Sequence, residues 1–315
     1  MWLAFVTIVV LLLVVDLGLL HKDQKEIGVA ESLALSALYI GLGLAFGAWV
    51  WWSIGAEAGI AYLTGFAVEK ALAMDNVFVI AMIFAFFAVP PRYQHRVLFW
   101  GILGVIVLRA VMIGAGAAIV SQLSWILYVF ALFLVATGVK MIVLADKEIS
   151  VGDNPVLRFM RRHFNVTDSH QGERFFVRQP SPVTGRPVWH MTPLFLSLVM
   201  IEFADLIFAV DSVPAIFAIT TDPFVVYTSN IFAILGLRAL YFALAAMVHR
   251  FHYLKYALAA VLIFIGSKIF VADLLGLEKF PPVLALAITS GILLGGILYS
   301  LARTRRGQPA ADEGR

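Results

Sequence analysis

Cysteine is absent from the chain, which excludes disulfides, thiolate metal sites and thiol catalysis. Charge is scarce too. Asp, Glu, Lys and Arg make up 14% of the 315 residues against 62% hydrophobic ones, and the mean hydropathy is +0.94. Soluble domains carry about a quarter charged residues, so the expectation is an all-α, polytopic membrane protein. No basic region precedes the first apolar run, MWLAFVTIVVLLLVVDLGLL, and no small-residue cleavage site follows it. Lys22 and Lys25 come after the run instead, so it is expected as a retained span rather than a signal peptide. The net charge of +3 gives no reason to expect a nucleic-acid partner.

What is present is a series of apolar runs of about 20 residues, the length that crosses a bilayer as a helix. Nine are expected, over 2–20, 32–54, 66–88, 97–119, 124–145, 193–219, 227–248, 256–273 and 281–302. Lys and Arg in the successive loops and the C-terminal tail number two, none, two, none, seven, none, two, one and four. Under the positive-inside rule this alternation places the N-terminus outside and the C-terminus inside. The one sizeable soluble piece is the loop 146–192, where RFFVRQ and RPVWH flank PSPVTG and are expected to pair as a hairpin. Its His163, His170 and His190 are expected to be solvated rather than to bind metal.

Eighteen of the 23 basic residues lie in loops and the tail. The other five, Lys70, Arg109, Lys140, Arg238 and Lys268, expose an internal repeat. EKALAMDNVFVI (69–80) matches DLIFAVDSVPAI (205–216), GILGVIVLRA (101–110) matches NIFAILGLRA (230–239), and GVK (138–140) matches GSK (266–268). Each unit is three spans long, so the second must enter the membrane from the opposite side. An inverted 3+3 repeat follows, an architecture in which transporters place their ion site between the two units. The chain divides accordingly into 1–65 with the first two spans, 66–145 as the first triplet, 146–192 as the loop, 193–275 as the second triplet, and 276–315 with the last span and tail.

The spans also hold six acids: Asp16, Glu69, Asp75, Glu202, Asp205 and Asp211. An isolated charge at the bilayer centre costs about 2.5–3.5 kcal/mol, so these groups need partners. Arg109 and Arg238 are expected as structural counter-ions, with Lys70 beside Glu69, while Lys140 and Lys268 lie closer to span ends where they snorkel. Residues seven apart nearly share a helix face, which aligns Glu69 with Asn76 and Asp205 with Ser212; Asp75 and Asp211 fall about 120° away. Pro214 removes the amide that would bond the Val210 carbonyl, so a helix break is expected there, freeing a backbone oxygen beside Asp211 and Ser212. Carboxylates, an amide, a hydroxyl and a free carbonyl without Cys or embedded His suit hard cations: Mn²⁺, Ca²⁺ or Mg²⁺. Met74 beside Asp75 adds a thioether that tilts the choice toward Mn²⁺. No organic cofactor is expected. Acids that release a metal also accept protons, so cation/proton exchange is the expected mechanism.

Beyond the residues themselves, FAVEKALAMDNVFV, IEFADLIFAVDSVPAIFAITTDPF and TSNIFAILGLRALYF closely resemble signature segments of the TerC family, including its Alx branch. The resemblance runs from about residue 60 to 275. It implies an integral protein of the bacterial inner membrane, from a family of which several members are implicated in manganese efflux and which is grouped with LysE-type exporters. It also implies that Glu69, Asp75, Asn76, Asp205, Asp211 and Ser212 form the polar core, with Asp16 as the acid of the first span. The family name points to tellurite, but an acidic midplane repels an oxyanion. Three other classes compete with the transporter. An intramembrane aspartyl protease needs a G-x-G-D motif, whereas the second Asp here stands in AVDS; no enzyme is expected. A membrane scaffold that loads metal into partners would not release ions across the bilayer, and a passive channel would not saturate.

Overall fold

A chain this apolar must satisfy its backbone internally, and helices do so within each segment. The computed structural model of the protein describes residues 1–18, 28–123, 125–143, 151–180, 186–245, 254–277 and 280–306. Among them are α1 (Trp2–Gly18), α2 (Val29–Ile54), α3 (Ala56–Phe86), α4 (Pro91–Gln122) and α5 (Ile126–Val143). A soluble segment follows with α6 (Pro155–His163) and the strands β1 (Phe176–Pro180) and β2 (Pro187–Met191). The chain then returns to the bundle as α7 (Pro193–Phe217), α8 (Pro223–Ile234), α9 (Leu237–Ala245), α10 (Leu254–Leu274) and α11 (Pro282–Arg306). Seven segments are long and apolar enough to cross a membrane: α2, α4, α5, α7, α8 with α9, α10 and α11. Of the nine expected spans, two fall outside that measure: α1, whose apolar helix Trp2–Val15 is shorter, and α3.

The helix α3 begins ten residues before the expected 66 because a single residue, Gly55 at φ +125°, turns the chain out of α2. It is the axis of the molecule, packing against α2, α7, α8, α9 and α11. Helix α4 lies on α7, and α5 lies along α10. The α5–α10 contact is reciprocal. A Cβ on Gly138 would stand 2.7 Å from the carbonyl oxygen of Ala259, and one on Gly266 would stand 2.5 Å from that of Ala131. Small residues let helix backbones approach this closely, and these are the glycines of the matching GVK and GSK.

Two expectations about helix continuity are corrected. Helix α7 runs unbroken through Pro214 to Phe217. The proline stands one turn from the helix end, and buried neighbours on both sides (Val213, Ala215, Ile216, Phe217) hold the backbone helical despite the lost amide. The break falls instead in the expected span 227–248, between α8 and α9. There Gly236 takes φ +80°, which L residues avoid, and Tyr39 of α2 packs so closely that a Cβ would stand 2.6 Å from it.

The loop forms its hairpin, β1 pairing antiparallel with β2 from Phe176↔Met191 to Pro180↔Pro187. It is fastened to the bundle at three points. His170 Nε2 lies 3.0 Å from the Phe87 carbonyl just past α3. Arg96 of α4 pairs with Glu173 at 3.4 Å. Thr192, between β2 and α7, donates to the Arg174 carbonyl at 2.7 Å. His163 and His190 each face a carbonyl of their own segment, so the three histidines do not converge.

Candidate ion-binding site

The centre of the bundle holds a guanidinium. Arg109 of α4 is 1% exposed and its planar donors reach three other helices. Nη1 donates to Glu69 Oε1 of α3, to Ser212 Oγ of α7 at 2.9 Å and to Asn230 Oδ1 of α8 at 3.3 Å. Nη2 and Nε donate to the two oxygens of Asp205 of α7, at 3.3 and 3.5 Å. Asn76 of α3 closes the ring, its amide donating to Asp205 Oδ1 at 3.2 Å. The seven-residue spacings Glu69–Asn76 and Asp205–Ser212 thus act as expected, each putting two polar groups on one face. Two acids, one base, two carboxamides and a hydroxyl bond to one another in the interior of the bundle.

The fit leaves one lone pair over. Asn76 Oδ1 is buried with no hydrogen-bond donor. Asn76 and Asp205 also line a small cavity of about 20 Å³ with Gly101, Ile201 and Arg238 among its other walls. A void of roughly 10–15 Å³ already holds one water, so this one is ion-sized.

Other expected site residues lie elsewhere. Asp211 faces α5, accepting from Thr137 at 3.2 Å with Lys140 in electrostatic range; this is the 120° offset from Asp205 read off the helix. The Val210 side chain is exposed on the same helix. Glu202 is half-buried against Gly104 of α4, where a Cβ would collide with its carboxylate. Asp16 lies on α1 and Asp75 on α3, their side chains outside the described residues. Among the described residues no three of His, Asp and Glu converge as a metal-binding group.

The bases divide three ways. Arg238 is buried at the small cavity. Lys70 is no ion-pair partner of Glu69: its ammonium donates to the carbonyls of Ala233 and Leu235 at 2.9 and 3.3 Å, which the break after α8 leaves without helical partners. Lys268 does not snorkel. It is 8% exposed and lines a larger cavity of about 1070 Å³, gathered from the ends of α2, α7 and α10 and the starts of α3, α5 and α11. Lys140 alone is exposed.

Asn230, the fourth corner of the Arg109 ring, was missed by sequence reasoning. Its signal was available, as an uncapped carboxamide inside an apolar span that opens the second of the matched segments. The Lys70 contact had no such signal, because it depends on a helix break that only packing reveals.

A helical membrane bundle with a closed polar cluster at its centre defines a class, that of integral membrane proteins with a buried ionic site. The chain belongs to the TerC family: the family model described as "Integral membrane protein TerC family" matches residues 54–308. An uncharacterized membrane protein of Rickettsia bellii is 46% identical over 302 residues, covering 96% of this chain and 97% of the relative. One of Myxococcus xanthus is 44% identical, covering 99% and 95%. A Salmonella typhi protein named "Putative membrane-bound redox modulator Alx" is 45% identical, covering 93% and 91%. No solved structure matches.

Proposed function

We propose that the protein carries a divalent cation, foremost Mn²⁺, across the bacterial inner membrane through the Glu69–Asp205 site, in exchange for protons. The observation that carries this reading is the meeting of Glu69 and Asp205. They occupy matched positions of the two triplets and come together at one point of the bundle, beside an ion-sized void and an oxygen that lacks a donor. Carboxylate, amide and hydroxyl oxygens are the donors that Mn²⁺, Mg²⁺ and Ca²⁺ take.

The inverted repeat and the nine spans belong to the same proposal. Their support is the crosswise packing of α3 on α8 and of α4 on α7, and the reciprocal Gly138 and Gly266 contacts. Nine spans with the N-terminus outside also assign to the outer face every helix end that surrounds the 1070 Å³ cavity, which is then an outward vestibule. No step of this transport requires an enzyme activity. The redox description of the Salmonella typhi relative cannot rest on thiols here, since the chain has none.

The saturation of both acids by Arg109 favours a second reading, a scaffold whose charges only hold helices together. Purified protein in proteoliposomes separates the two. The transporter takes up Mn²⁺ saturably, and an imposed pH gradient drives it. A folded protein that gives no Mn²⁺ flux under any gradient refutes transport, and flux indifferent to pH refutes proton coupling.

A further inference from the structure

Arg109 stands between the two carboxylates where the cation of the proposed function would bind, and a guanidinium and a divalent ion cannot share that place. We infer that Glu202 is a second berth for Arg109: when a divalent cation enters between Glu69 and Asp205, the guanidinium moves along α4 onto the Glu202 carboxylate. The inference rests on the transporter reading and names how that site opens.

Four observations point to Glu202. Long side chains on a helix lean toward its N-terminus, so the space Arg109 reaches lies over the turn that precedes it. Gly104 is five residues back on the same helix, about 7.5 Å along the axis and about 140° around it, an arc that α7 covers by touching Arg109 through Asp205 and Gly104 through Glu202. The Glu202 carboxylate rests against Gly104, where a Cβ would collide with it, so only a residue without a Cβ leaves that room. Among the described residues no donor reaches Glu202, although it is half-buried and every other described acid of the bundle interior is bonded.

Charge supplies the drive. Asp205 stands one turn from Glu202 on α7, close enough for the two carboxylates to repel. A guanidinium at Glu202 relieves that repulsion and leaves the upper site to the metal. Glu69, Asp205 and Glu202 with Arg109 and one divalent ion form a neutral group, whereas a monovalent ion leaves a negative charge buried. The berth therefore also selects for two charges.

The test compares wild type with Glu202→Gln, Glu202→Asp and Gly104→Ala in detergent, by Mn²⁺ titration calorimetry and by melting with and without Mn²⁺. Glu202 makes no bond in the metal-free protein and is repelled by Asp205, so Glu202→Gln should melt no lower than wild type when metal is absent. Its Mn²⁺ affinity at the Glu69–Asp205 site should fall at least about tenfold, the worth of one charge-assisted hydrogen bond. Glu202→Asp should recover part of the loss. Gly104→Ala, which displaces the carboxylate, should reproduce it and carries the test if Glu202→Gln does not fold. Unchanged Mn²⁺ affinity in the folded variants overturns the inference while wild-type binding keeps the transporter reading. A wild type that binds no Mn²⁺ overturns both.

Discussion

Replacing Lys70 by methionine keeps the reach of the side chain and deletes the ammonium that closes the end of α8. Two carbonyls, of Ala233 and Leu235, then lose their donor inside the bundle. The 2.9 Å bond is the stronger; a hydrogen bond from a charged donor contributes about 1.5–3 kcal/mol net. The 3.3 Å bond adds less, and removing a part-buried charge returns some desolvation. The expected net loss is about 2 kcal/mol, which for a chain of this size lowers the melting temperature by about 3 °C. Thermal unfolding in detergent, followed by circular dichroism, measures it. Lys70→Arg should lose less, because a guanidinium still donates to both carbonyls. Lys140→Met, at an exposed lysine, should melt as wild type does. A Lys70→Met protein as stable as wild type would show that the break at Gly236 needs no cap and that the reasoning about freed carbonyls is wrong.

Arg109→Ala strands two buried carboxylates and should lower membrane abundance by immunoblot well below that of Asp211→Asn, consistent with about 3–5 kcal/mol for breaking a buried pair. Equal abundance of the two would contradict the central role of Arg109. Asp205→Asn and Glu69→Gln should each abolish Mn²⁺ uptake in proteoliposomes, whereas Asp211→Asn, bonded to Thr137 outside the ring, should retain saturable uptake. Gly138→Leu and Gly266→Leu should destabilise the purified protein to similar extents by melting, since each forces apart the same pair of helices. His170→Ala should expose the loop 151–191 to trypsin sooner than in wild type, by removing its contact with the end of α3.

The helices and the participants of the charge ring other than Asn230 were legible because both follow from short-range rules. Apolar run length locates α2, α4, α5, α7, α10 and α11, and the 3.6-residue period puts Asp205 and Ser212 on one face and Asp211 on another. The position of the helix break was not legible. Proline at 214 is the stronger local signal, yet burial around it outweighs one missing amide, while Gly236 yields because Tyr39 presses on it from a helix distant in sequence. Sequence reasoning also pooled the acids into one pocket, since a repeat shows which residues correspond and not which ones meet. Glu202 and Asp211 share α7 with Asp205 but look toward α4 and α5. The start of α3 was misplaced for a simpler reason: a one-residue connection through Gly55 leaves no polar loop to mark it.

The fastening of the loop has a mechanical corollary. Through His170 it is tied to the tail of the helix that carries Glu69, and through Thr192 it runs straight into the helix that carries Asp205. Any force applied to that hairpin is therefore delivered to both acidic helices at their same end, some distance from Glu69 and Asp205 but joined to them by continuous helix.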